Sequence, residues 1–332
     1  MRRRDFFGLA GASLAYGALA ACAPRQRGAA APGDAPRQPL DAAAYQATRK
    51  FADTRFGKIA YLERGTGPVA LFLHGAPLNS YQWRGAIERL ADQRRCIAPD
   101  FMGLGYTEVA ATQALTGASQ AEMIGALLDQ LNIRRVDIVA SDSGGMVAQL
   151  FVIKNPDRVR TMLLTNCDTE PDSPPPKTLP IIHLAQEGKL ADSLAKWRAD
   201  HALARKEFGT AVFQYPERFS DDAIEYYFAP VLRSAHHRER FHSYNAAFLP
   251  NPLLGTEAAL RMCQAPTRVL WGTGDDLFSQ ASPEYLDKLL PQSRGVRRLE
   301  GAKLFWPEEQ PDVIAEEARQ LWSAAGTPAA TD

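Results

Sequence analysis

Asp142 is the residue of this chain whose neighbours best equip it for chemistry. It ends the run Val136-Asp137-Ile138-Val139-Ala140-Ser141-Asp142, and Ser143-Gly144-Gly145 follow at once. An apolar run that breaks into small residues reads as a buried strand turning sharply into a helix, which exposes the side chain at the tip. A carboxylate held there can attack carbon to form an ester, or can serve as acid or base. Release of such an ester needs a base, and a positioned one contributes about 10²–10⁴-fold. Ser143 is the rival nucleophile, because 141–145 also fits a small-x-Ser-x-Gly register.

The elements that hold this turn alternate along the chain. Short apolar or alternating runs predict strands at 51–54, 58–63, 69–73, 95–98, 136–141, 159–165, 267–271 and 296–299. Helical stretches are predicted at 81–91, 119–131, 144–154, 282–290 and 311–323. Two hairpin-like strands followed by strict alternation imply an α/β fold, a mostly parallel eight-stranded sheet with helices on both faces. Between Asp168 and about Pro250 the alternation stops. A turn-rich exit from Thr169 to Pro176 leads into a helical, charged and aromatic segment. The predicted organisation is a first core half at 45–168, a helical cap at 169–250 and a second core half at 251–325.

With 45% hydrophobic and 23% charged residues in 332, the composition is that of an ordinary globular protein. Lys+Arg and Asp+Glu both number 38, so the balance gives no reason to expect nucleic acid or a polybasic membrane surface. Arg2-Arg3-Arg4-Asp5-Phe6-Phe7-Gly8-Leu9 and the Ala/Gly-rich stretch to Ala21 resemble a twin-arginine export signal. Leu19-Ala20-Ala21-Cys22 resembles a bacterial lipobox, in which the signal is cut before the cysteine and its thiol receives a lipid. Residues 23–44, rich in Ala, Pro, Gly, Gln and Arg, read as a flexible tether. The implied location is the periplasmic side of a bacterial membrane, with the lipid on Cys22 as anchor. Cys96, Cys167 and Cys263 lack metal-ligand spacing and read as buried free thiols; neither metal nor cofactor is expected.

Together with the turn at Asp142, four further segments resemble the α/β-hydrolase fold superfamily, covering nearly everything from Phe51 to Trp322. His74-Gly75-Ala76-Pro77 resembles its loop after the third strand, and Asp100-Phe101-Met102-Gly103-Leu104-Gly105-Tyr106-Thr107 the turn that supports its site. Trp271-Gly272-Thr273-Gly274-Asp275-Asp276 resembles the segment bearing the catalytic acid, and Leu299-Glu300-Gly301-Ala302-Lys303-Leu304-Phe305 the loop bearing the catalytic histidine. The resemblance implies an oxyanion hole from the backbone N–H groups of Ala76 and Ser143. It implies Asp275 as the acid, with Asp276 the runner-up, and a structural role for His74. It also favours Asp142 over Ser143, because the family's nucleophile stands fourteen residues before the proline matched here by Pro156.

An aspartate at the elbow is similar to haloalkane dehalogenases and soluble epoxide hydrolases, where the carboxylate attacks carbon and a histidine activates water. The segments 74–77, 80–83 and 95–100 are similar to dehalogenases in particular. Dehalogenases commonly hold the halide with a tryptophan after the nucleophile, and often with an asparagine in the oxyanion loop. Ser143 and Ala76 stand here instead, and Leu304 stands where the histidine belongs. Candidate bases from elsewhere are His242, His237 and His236 in the cap, and Lys303. Tyr226-Tyr227 is similar to the paired tyrosines that polarise epoxides, although adjacent helical residues point in different directions. These residues read as a hydrolase acting through Asp142 on a small, largely apolar substrate, with a non-standard or absent base. The alternative is a non-catalytic ligand-binding protein that kept the fold.

Overall fold

The computed structural model describes residues 40–326. The export signal, Cys22 and residues 23–39 of the expected tether lie outside the described residues. Eight strands form one sheet: β1 (Lys50–Thr54), β2 (Gly57–Arg64), β3 (Val69–Leu73), β4 (Arg95–Pro99), β5 (Val136–Asp142), β6 (Val159–Cys167), β7 (Thr267–Gly272) and β8 (Ser293–Leu299). Their order is β1-β2-β4-β3-β5-β6-β7-β8, with β1–β2 and β2–β4 antiparallel and every other pair parallel. The central strands β3 and β5 are buried along their whole length, as their unbroken apolar character requires of strands covered on both faces.

This topology places the site. From β3 the chain steps outward to β4, then returns past β3 to begin β5, so the crossovers on either side of the β3–β5 pair run in opposite directions. Ligands of open α/β sheets bind beyond the carboxyl ends of strands at such a switch point. The 74–77 loop leaves β3 there, and Asp142 ends β5 there.

The helix Ser143–Lys154 packs against β5 and β6 and against the helix Gly117–Gln130, while Pro311–Ala324 packs against β6, β7 and the helix Arg84–Leu90. Between β6 and β7 the principal elements are the helices Leu179–Gln186, Leu190–Ala199, Asp221–Leu232 and Ala235–Ala246. Trp197, Phe208, Phe213, Phe219 and Phe228 form a continuous aromatic cluster within that segment, and Phe208 and Phe213 meet Phe305 of the core at 6.2 and 6.0 Å.

Order begins earlier than the tether prediction allowed. Asp41 caps a helix over Ala42–Ala47 by accepting from the Ala44 N–H at 2.7 Å. Tyr45, 2% exposed, stands edge-on to Tyr81 at 5.0 Å and to Tyr226 at 5.7 Å. Such aromatic pairs add about 0.5–1.5 kcal/mol each beyond burial, enough to dock an alanine-rich turn that composition alone reads as loose.

Candidate active site

Asp142 sits at φ +56°, ψ −133°, and Asn132 is the one other non-glycine residue with positive φ among the described residues. A side chain in that region costs about 1–3 kcal/mol of backbone strain, which the surrounding packing must hold. Gly144 permits the sharp turn: a Cβ on it would stand 2.4 Å from the Leu73 carbonyl oxygen. The Asp142 carboxylate accepts through Oδ1 from the Ser143 N–H and, at 3.4 Å, from the Ala76 N–H. The two amides expected to form an oxyanion hole thus grip one carboxylate oxygen. Burial pushes the Asp142 carboxyl up to about 6, while the Ser143 amide and hydroxyl and the Ala76 amide pull it back.

Ser143 is fully buried, and its Oγ accepts from the hydroxyl of Tyr244, on the helix Ala235–Ala246, at 2.9 Å. Unlike Asp142, it does not line the cavity beside this turn. His74 is buried, with Nε2 accepting from the Phe101 N–H at 3.0 Å and Nδ1 2.9 Å from the Gly75 carbonyl. Burial holds its pKa below the usual histidine value, so it is a neutral structural brace.

Where a histidine would be sought, the loop after β8 offers hydrocarbon. Leu304 and Phe305 are both buried, and a Cβ on Gly75 would lie 2.6 Å from Asp142 Cβ and 2.7 Å from Phe305 Cε1. Phe305 therefore stands beside the carboxylate. Lys303 points away, its ammonium donating to the Thr210 carbonyl. Asp275 is 3% exposed and accepts from the Leu277 N–H at 2.9 Å and from Asn166 Nδ2 at 2.8 Å. Burial raises its carboxyl to about 6. Asn166 Oδ1 in turn accepts from the Gly272 N–H at 2.8 Å and the Trp306 indole at 3.0 Å. Asp275 is thus tied into a structural amide network, while Asp276 makes a surface pair with Lys177 at 2.7 Å.

The cap bases do not reach Asp142. His237 Nδ1 is 2.7 Å from Ser234 Oγ, His236 Nε2 is 3.0 Å from the Val109 carbonyl, and His242 Nε2 accepts from the Ala191 N–H at 3.0 Å. Burial lowers the pKa of His237 to about 4 and also lowers that of His242. The tyrosine pair is engaged elsewhere too: Tyr226 accepts from Arg49, and Tyr227 donates to Glu308 at 2.7 Å. Helical phase, which the sequence does not orient, sends all five of these rings away from the elbow. Cys96, Cys167 and Cys263 are free and buried, and burial raises the pKa of each thiol. Among the described residues no group of three His, Cys, Asp or Glu is placed to hold a metal ion.

What Asp142 faces is a cavity of about 320 Å³ with a mainly apolar wall that includes Ile182, Leu194, Trp197, Phe208, Phe241 and Phe278. Ile181 and Leu184, 39% and 38% exposed, belong both to this wall and to the surface and so mark its mouth. The Trp197 indole N–H is turned outward, donating to Glu207 at 2.8 Å, so it offers nothing to a halide inside. One ionisable residue of the wall was given no role from the sequence: Asp168, 1% exposed, the first residue after β6. β6 is registered against the elbow strand with Cys167 opposite Asp142, and that register is the signal that would have found it.

A family model described as "alpha/beta hydrolase fold" matches residues 68–305. The chain belongs to the α/β-hydrolase fold family and is a hydrolase of that family. It is 27% identical over 288 residues to haloalkane dehalogenase 2 of Mycobacterium tuberculosis, covering 82% of this chain and 93% of that protein. It is 39% identical over 102 residues to epoxide hydrolase 2 of Siraitia grosvenorii, covering 30% and 32% of the two chains. An epoxide hydrolase solved without ligand superposes with a TM-score of 0.70 at 23% identity, over 83% of this chain and 99% of that one. These chains are similar to this one in fold.

Proposed function

We propose that this hydrolase works through Asp142, whose carboxylate attacks carbon of a small, largely apolar substrate and is released from the resulting ester by water. The observation that carries the reading is the grip of two backbone amides on Oδ1 at a strained turn facing the cavity. With Oδ1 held, Oδ2 is the oxygen left to attack. When water adds to the ester, the negative charge develops on Oδ1, where both amides already point. The haloalkane dehalogenase and epoxide hydrolase relatives support a substrate of this kind. We further propose that the protein is exported by the twin-arginine route and tethered by a lipid on Cys22, a reading supported by the order of Arg2, Arg3 and Cys22 in the sequence.

The test is oxygen transfer. In a single turnover in ¹⁸O-labelled water, the label enters the Asp142 peptide and the product carries unlabelled oxygen. Asp142→Asn abolishes turnover, and Ser143→Ala keeps it within about tenfold, since the Ser143 amide that grips Oδ1 survives and only the hydroxyl's contacts with Asp142 and Tyr244 are lost. Label appearing directly in the product, or loss of activity in Ser143→Ala alone, would make Ser143 or a water-activating base the reactive group.

A further inference from the structure

We propose that Asp168 is the proton shuttle of this site: its carboxyl gives a proton to a leaving oxygen as Asp142 attacks, and takes one from water as the Asp142 ester is broken. The proposal rests on Asp142 being the nucleophile. It assigns the site to substrates whose leaving atom is an oxygen that must depart as a hydroxyl, an oxirane being the simplest.

Three observations place Asp168 in that role. The first is position. Cys167 is registered opposite Asp142 across the parallel β5–β6 pair, and neighbouring strands lie about 4.8 Å apart. The next residue, Asp168, reaches the same cavity as Asp142.

The second is electrostatic. Asp168 is almost wholly buried, accepts from Ser173 Oγ at 2.8 Å through Oδ1, and meets no lysine, arginine or histidine among the described residues. The titratable groups around it are Asp142, Asp172, Cys167 and Tyr244, none of them cationic, and Gln149 touches only its backbone carbonyl, at 2.8 Å. Burial, and then the Asp142 charge, lift the Asp168 carboxyl to about 8, against about 6 for Asp142. At neutral pH the proton of the pair therefore sits on Asp168 and leaves Asp142 ionised, a division of labour between two carboxyls set by their surroundings.

The third is the lack of a competitor. None of the wall's other side-chain donors is an acid that could give up a proton: the Thr178 hydroxyl donates to the Pro175 carbonyl at 2.7 Å, one Asn245 amide hydrogen to the Phe241 carbonyl at 2.8 Å, and Ser193 is a neutral alcohol. The wall's Trp197 indole is turned outward to Glu207, and a halide leaves without needing a proton. An alkoxide does need one.

The steps balance on an oxirane. Oδ2 of Asp142 bonds to a ring carbon, the carbon–oxygen bond breaks, and the oxygen takes the Asp168 proton to become a hydroxyl. Asp168, now a carboxylate, removes a proton from water, and the hydroxide adds to the ester carbonyl with charge collecting on Oδ1. Collapse expels the second product oxygen, which takes the proton back from Asp168. Asp142 is left as the acid and passes its proton to Asp168, the more basic of the two. The net reaction is oxirane plus water to a vicinal diol, with one carboxyl acting as acid and then as base.

Styrene oxide and 1-bromobutane serve as probes for the wild type, Asp168→Asn, Asp168→Glu and Asp142→Asn. We expect Asp168→Asn to slow styrene oxide turnover by about 10²–10⁴-fold and Asp168→Glu to recover part of it. 1-Bromobutane should alkylate Asp142 equally fast in the wild type and in Asp168→Asn; the ester persists in the variant and is released in the wild type once Asp168 has lost to solvent the proton that bromide does not take. Asp168→Asn turning over styrene oxide within about threefold of the wild type would overturn the shuttle while leaving Asp142 standing. A wild type alkylated by bromobutane but inactive on styrene oxide would overturn the assignment to oxygen leaving groups. Neither adduct nor turnover in the wild type would sink the nucleophile itself. Independently of how any variant folds, kcat/KM of the wild type should rise with pH through about 6 and fall through about 8, as limbs belonging to the pair. A profile that keeps rising above pH 8 overturns the proposal.

Discussion

Replacing Asp168 with asparagine should make the protein more stable, and the size of the gain follows from burial. An unfolded aspartate titrates near 3.9, whereas in the folded chain burial and Asp142 lift Asp168 to about 8. Below about pH 3.9 both states hold the proton and the residue costs nothing. Between about 4 and 8 the unfolded chain sheds a proton that the folded chain keeps, so stability falls steadily as pH rises. Above about 8 both states are ionised and the cost is constant. At pH 7 the linkage amounts to about 4 kcal/mol, and partial hydration from the cavity lowers the expected gain to about 2–4 kcal/mol. Asparagine keeps the shape and can still accept from Ser173. For a domain of roughly 300 residues this is a rise in Tm of about 4–8 °C. Urea unfolding at pH 4.5, 7 and 8.5 measures it, with the advantage growing from the first to the last. A variant no more stable than the wild type at pH 7, or an advantage that shrinks as pH rises, would refute the reasoning.

Gly75→Ala puts a methyl 2.6 Å from Asp142 Cβ and 2.7 Å from Phe305 Cε1, so the carboxylate or the ring must shift. We expect kcat to fall about 10²-fold, the order that a displacement of 1 Å costs, with a loss of stability of about 1–3 kcal/mol seen by thermal melting. Cys22→Ser should abolish lipid labelling and move the protein from the membrane to the soluble fraction on cell fractionation; unchanged membrane association would end the anchor proposal.

Most of the fold was legible because period and punctuation report local structure. The apolar runs at 69–73 and 136–141 became β3 and β5, and the small residues 143–145 opened the helix after Asp142. Boundaries moved where chemistry is not local. The predicted helix at 81–91 divides into a tighter turn at Ser80–Trp83 and the helix Arg84–Leu90, and Tyr45 orders residues that composition assigned to a tether. The site was legible only along the chain. Asp142, Ala76 and Asp275 stand on motifs, but Asp168 is found through its strand's register with β5, which no single segment encodes. The histidines of the helix Ala235–Ala246 suggested bases because the sequence supplies the imidazoles without the rotation of the helix that carries them.

The bond from Tyr244 to Ser143 has a bearing on traffic. It fastens the helix Ala235–Ala246 to the first turn after Asp142. The helix Leu179–Gln186 packs against this fastened helix, and its Ile181 and Leu184 stand in the open at the cavity mouth. Under the proposed function, reactant and product share this oily doorway. If the proposed reaction holds, hydrolysis leaves a molecule more polar than the one that arrived, so the same threshold that favours an apolar reactant lets the wetter product go.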